Sequence, residues 1–149
     1  MNTKDQVKNH LEYLGYDVEY NKDEEDLLFC SKQGYPPMMI RYSEHRIQFW
    51  ATYDINEIAK KNPVDFLEYV NMLNMATSIA TFYVNEEGNF NFASSYLGSY
   101  DRKQFASFLH LWENDVGATL DRTPGTARFL GGLDNLAQES YDTNTSAYA

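Results

Sequence analysis

Two groups of β-rich runs, three before and two after, flank one long apolar helix pattern, and that order leaves few folds open to the chain. Asn62-Pro63 marks where the helix starts. An Asn side chain can accept from the free amides of a first turn, and proline forfeits no bond at the first helical position. From there Val64, Phe66, Leu67, Val70, Met72, Leu73, Met75, Ala76 and Ile79 are apolar. They cover more than one face, which predicts a central helix reaching about Ile79 and buried against several elements.

Upstream, residues 27–31, 38–42 and 47–53 are apolar and rich in β-formers. Gly34-Tyr35-Pro36-Pro37 separates the first two, because paired prolines remove two ladder donors, and Ser43-Glu44-His45-Arg46 is short enough for a hairpin. These runs read as an antiparallel meander. Downstream, residues 81–84 and 89–96 flank Asn85-Glu86-Glu87-Gly88, where Gly88 can take the left-handed conformation of a hairpin turn.

Two more helices close the pattern. Val7, Leu11 and Leu14 recur at i, i+4 and i+7 ahead of Gly15. Asp101 with Gln104 resembles a capping box, followed by Phe105, Phe108, Leu109, Trp112, Val116 and Leu120 on one stripe. The order α-β-β-β-α-β-β-α predicts an α+β domain: a five-stranded antiparallel sheet with helices packed mainly on one face. Residues 1–122 are expected to form this single domain. Residues 123–149 shift towards Gly, Ser, Thr, Asn and Ala, apart from Phe129, Leu130, Leu133 and Leu136. They read as a C-terminal extension, partly ordered and then frayed.

Composition narrows the function classes. In 149 residues, 12 basic and 22 acidic side chains leave a formal charge of −10, while 43% hydrophobic and 15% aromatic content supplies a core. A strongly negative surface repels phosphate backbones and anionic lipid, so neither nucleic acid nor membrane is an expected partner. Aromatic residues on a sheet can stack RNA bases, but those platforms are basic. Lone Cys30, the polar start Met1-Asn2-Thr3-Lys4-Asp5-Gln6 and the lack of a long apolar run point to a cytoplasmic protein.

Catalytic chemistry finds little support. His10, His45 and His110 are dispersed, and Cys30 has no histidine at a recognisable spacing, so no nucleophile–base pair or zinc set emerges. Asp23-Glu24-Glu25-Asp26 lacks the central glycine of a calcium loop. Gly125 to Gly131 lacks the Lys-Ser/Thr that completes a phosphate cradle. No catalytic, cofactor-binding or metal site is assigned.

The order of elements, with Phe66-Leu67-Glu68-Tyr69-Val70-Asn71-Met72-Leu73-Asn74, the hairpin Thr81-Phe82-Tyr83-Val84-Asn85-Glu86-Glu87-Gly88-Asn89-Phe90 and the helix over 101–120, resembles the YbjN family of bacterial sensory transduction regulators. That family shares its fold with the type III secretion chaperones. The resemblance covers about the first four fifths of the chain and excludes the segment from Thr123 onward. It implies a non-enzymatic domain, often dimeric, that acts by holding a protein partner.

Strand alternation supplies candidate residues for such a role. In the third run Ile47, Phe49 and Ala51 oppose Gln48, Trp50 and Thr52. In the second, Met38, Ile40 and Tyr42 oppose Met39 and Arg41, and in the first Leu27 and Phe29 oppose Leu28 and Cys30. Three helices do not cover both faces of five strands, so an apolar face is left bare. Leu28, Met39 and Trp50 are the expected partner-binding residues, unless the tail with Phe129, Leu130 and Leu133 folds back over them. The expected function is a protein-binding or regulatory module, chaperone-like, with a homodimer as its simplest instance. The alternative is a small-ligand-binding protein or small enzyme using a pocket between the central helix and the sheet.

Overall fold

The computed structural model describes residues 2–130. Helix α1 (Thr3–Tyr13) starts where the Asn2 carboxamide accepts from the Asp5 amide at 2.8 Å. Four strands follow, β1 (Asp17–Tyr20), β2 (Leu27–Ser31), β3 (Met38–Tyr42) and β4 (Arg46–Tyr53). A short helix α2 (Glu57–Lys61) leads into the central helix α3 (Pro63–Ala76), then the hairpin of β5 (Thr81–Val84) and β6 (Phe90–Leu97). Helix α4 (Arg102–Val116) and the short α5 (Ala118–Arg122) and α6 (Thr126–Phe129) complete the chain as far as it is described.

The sheet is antiparallel throughout, in the order β1-β2-β3-β4-β6-β5, and has six strands where five were expected. The extra strand, β1, is four residues long and buries only Val18, too little for hydrophobic patterning alone to announce it. The central helix sits in the connection that joins β4 to the β5–β6 hairpin, and β6 rather than β5 pairs with β4, from Arg46↔Leu97 to Tyr53↔Phe90. At the hairpin turn Gly88 takes φ +83°, while the Asn85 side chain accepts from the amides of Glu87 and Asn89.

All the long helices cover one face. Val7 and Leu11 of α1, Phe66 and Leu73 of α3, and Phe105, Leu109 and Trp112 of α4 are buried with Leu28, Ile40, Phe49, Phe82, Phe90 and Phe92. Aromatic rings knit this layer: Phe49 lies 5.5 Å from Trp112 and 4.9 Å from Phe108, and Phe66 meets Phe90 edge-on at 5.5 Å. Between the central helix and the sheet, Phe66 packs on Phe90 and Leu73 is fully buried.

The turn between α3 and β5 is clasped from α4. Both carboxylate oxygens of fully buried Asp115 accept backbone amides, from Ser78 at 2.8 Å, Ile79 at 2.8 Å and Ala80 at 2.9 Å. Three charge-assisted bonds compensate the burial of this acid.

The central helix differs from its expectation in three ways. It ends at Ala76, short of Ile79. The Asn62 side chain makes no cap; its amide donates to the Ile58 carbonyl at 2.8 Å, and only Pro63 acts as a start signal. Nor is the helix buried all round: Phe66, Tyr69, Val70 and Leu73 face the core, whereas Val64 (68%), Leu67 (56%) and Met75 (79%) face outward. The last long helix likewise breaks at Gly117 instead of continuing to Leu120.

The core continues past Arg122. Gly125, at φ +101°, turns the chain so that Phe129 packs 5.4 Å from Tyr69 and 5.5 Å from Phe66. Thr126, fully buried, has one hydroxyl proton, which it donates to the Leu120 carbonyl at 2.6 Å; Tyr69 therefore donates to the Thr126 oxygen at 2.6 Å. Phe129 and Leu130 are thus built into the helix side of the molecule, and among the described residues no element lies over the opposite sheet face. Leu133, Leu136 and the rest of 131–149 lie outside the described residues.

Candidate functional site

The uncovered face is read directly from the strand register. One row runs across all six strands: Glu19, Phe29, Met39, Trp50, Ala93 and Thr81 are successive cross-strand partners. The next row on one side carries Leu27, Arg41, Gln48 and Ser95, and on the other Thr52, Asn91 and Tyr83. Phe29 is 41% exposed, and Met39 and Trp50 are half-buried.

Of the three residues expected to bind a partner, Met39 and Trp50 share this row and Leu28 does not. Leu28 pairs with Ile40 and Tyr20, points into the helix-covered layer and is fully buried. Its neighbour Phe29 stands where Leu28 was expected. The cause is the unbroken run Leu27-Leu28-Phe29-Cys30, four apolar residues whose sequence carries no phase. Cross-strand pairing with β3, whose Met39 alternates with buried Met38 and Ile40, sets the phase instead.

Trp50 is a ridge between two depressions. On its β1 side a hollow of about 420 Å³ is lined by Phe29, Met39, Trp50 and Pro37, with Asp17 and Glu19 on its rim. On its β5 side a second hollow, of about 660 Å³, is lined by Gln48, Thr81, Tyr83 and Ser95 with Arg41 at one end. The first is apolar with an acidic edge; the second offers hydroxyl, amide and guanidinium groups. Arg41 is held in place by Glu24 at 2.5 Å and Asp26 at 3.7 Å, and its guanidinium carbon lies 5.8 Å from the Trp50 ring centroid. Two carboxylates already answer its charge, and it braces Trp50 by a cation–π contact.

Asp17 and Glu19 are absent from the residues expected from sequence, because β1 is the strand that hydrophobic patterning misses. The alternation Asp17-Val18-Glu19-Tyr20 was the available signal, a polar–apolar period of two over four residues.

The groups with chemical reactivity lie elsewhere. Cys30 is buried on the covered face, where desolvation pushes its thiol up to about 12. His10 Nδ1 is 2.8 Å from the Tyr100 hydroxyl, and burial, with the Arg102 charge second, lowers its pKa. His45 is exposed in the β3–β4 turn and His110 on α4. Among the described residues no three His, Cys, Asp or Glu side chains are grouped to hold a metal ion, and no helix is long and apolar enough to cross a membrane.

A six-stranded antiparallel sheet with helices on one face and an apolar row on the other is the framework into which the chain falls. The fold is similar to that of YbjN from E. coli, a candidate transcription regulator, which matches with a TM-score of 0.64 over 85% of this chain and 93% of its own, at 14% sequence identity. The chain therefore has a YbjN-like fold, in agreement with the resemblance carried by residues 66–74, 81–90 and 101–120. No family model matches the sequence, and no curated protein matches it either.

Proposed function

We propose that this protein is a regulatory or binding module that holds a protein partner against the open face of its sheet, and that it performs no chemistry of its own. The observation that carries this reading is the row Phe29–Met39–Trp50, large apolar side chains on three adjacent strands with no element of the described chain laid over them. Apolar groups set together in this way favour contact with another surface over contact with water. The fold of YbjN, a candidate regulator, is consistent with such a role. A secretion-type chaperone and a symmetric homodimer are two forms the same docking could take.

The test is a comparison of wild type with Trp50→Glu and Phe29→Glu, each verified as folded by circular dichroism. Light scattering measures self-association, and immobilised protein measures retention of partner proteins. Loss of either association in both variants, with Leu67→Glu on the outward side of α3 unaffected, is the expected result. Association that survives both substitutions refutes the open face as the docking surface.

A further inference from the structure

We infer that the hollow beside Trp50 takes an apolar side chain from a basic, extended or helical segment of a partner protein, with a Lys or Arg of that segment on Asp17 and Glu19. The inference rests on the reading of the open face as a docking surface and adds the chemistry of what docks.

Three observations support it. First, the hollow is apolar in its floor and walls, formed by Phe29, Met39 and Trp50, and has room for a large aliphatic or aromatic side chain. Second, its rim on the β1 edge carries two exposed carboxylates with no ion pair or side-chain hydrogen bond among the described residues. The contrast with the β5 side is direct, since Arg41 is already neutralised by Glu24 and Asp26. A cation arriving at Asp17 and Glu19 therefore meets unanswered charge, and an anion arriving anywhere on the face meets no free basic group in the Trp50 row. Third, the whole chain carries a formal charge of −10, which draws in basic segments and repels a second copy of itself.

The register also sets a spacing. Glu19 and Met39 are two strand positions apart in one row, about 10 Å at the usual separation of strands. That distance is covered by about three residues of extended chain or about seven of helix. The fitting segment thus has a large apolar residue and a basic residue at one of these separations.

A library of random 12-residue peptides displayed on phage, selected on the immobilised full chain, tests the chemistry and lets the surface choose its own ligand. Selected peptides are synthesised and titrated while Trp50 emission is followed, Trp112 being buried in the core and insulated from the ligand. The expected consensus pairs a large apolar residue with Lys or Arg; binding weakens with salt and is lost in Trp50→Glu and reduced in Trp50→Ala. In the double variant Asp17→Asn, Glu19→Gln affinity falls about three- to tenfold and the salt dependence flattens, as expected of exposed ion pairs.

Peptides that require Trp50 but show no basic preference and ignore the double variant overturn this inference and leave the docking face standing. Peptides that bind equally well to Trp50→Glu, or no enrichment together with a monomeric protein, overturn both. No enrichment with a dimer that Trp50→Glu dissociates makes the occupant a second copy and likewise overturns the inference.

Discussion

Removal of the Asp115 carboxylate is expected to be among the most damaging single changes to this fold, and the structure sets its scale. Three backbone amides, of Ser78, Ile79 and Ala80, end on its two oxygens at 2.8 to 2.9 Å, and the side chain is fully buried. Hydrogen bonds to a charged group contribute about 1.5–3 kcal/mol each. Two of the three donors are only partly buried and recover water when the acid is lost, so Asp115→Ala is expected to cost about 3–5 kcal/mol. Asp115→Asn should be milder. Its oxygen can take the place that serves Ile79 and Ala80, but its amide then faces the Ser78 N–H donor to donor, a loss of about 2 kcal/mol. Urea unfolding gives both numbers, and at about 2–4 °C per kcal/mol for a chain of this size the alanine variant should melt about 6–20 °C lower. A cost below about 1 kcal/mol for Asp115→Ala, or an asparagine variant worse than alanine, refutes the view that this carboxylate holds the turn before β5.

On the two sides of the central helix, Leu67→Glu should change stability by less than about 0.5 kcal/mol whereas Leu73→Ala should cost about 2–5 kcal/mol, measured by the same unfolding curves. Gly125→Ala should cost about 1–2 kcal/mol, because φ +101° is strained for an L side chain and the added carbon meets Tyr69 Cδ1 at 3.0 Å; thermal melting reads it. Cys30 in the native protein should barely react with a disulfide reagent at pH 8 and react at once in guanidinium, since a thiol pushed up to about 12 carries about a thousandfold less thiolate than one at the ordinary value. The sign of the linked pH effect follows: the folded state holds this proton more tightly, so its contribution to stability is intact below about pH 9 and declines as the pH rises towards 12.

The elements that were legible in the sequence are those whose periodicity is long and whose ends carry chemistry. Helix α4 has an apolar stripe and an Asp101 side chain that accepts from the Gln104 amide at 2.9 Å, so pattern and cap agree. The β5–β6 hairpin has Gly88 where a positive φ is needed. The rest depended on partners far away in the chain. Strand β1 is defined by pairing with β2, from Asp17↔Ser31 to Tyr20↔Leu28, and has no hydrophobic excess of its own. Asn62 reads as a cap by residue type, yet a carbonyl of the preceding short helix takes its side chain. Leu28 and Phe29 are chemically alike and adjacent, and only the ladder with β3 decides which of them is buried. The candidate site suffers most from this, because a face is a property of registers and registers are tertiary.

The β4–β6 pairing has a consequence for the order in which the molecule is assembled. Strands β1 to β4 are neighbours in both chain and space, so their ladders close short loops at little entropic cost. The edge of β4 must then wait until α2, α3, β5 and the turn at Gly88 have all been made before β6 arrives to cap it. During synthesis at about 5–20 residues per second, an eight-residue strand containing Ile47, Phe49 and Trp50 stays unpaired on one side for several seconds. The eventual closure is the step of longest loop in the sheet and the natural candidate for its slowest one. Conditions that delay it should send the chain towards aggregation through that edge, whatever the stability of the finished fold.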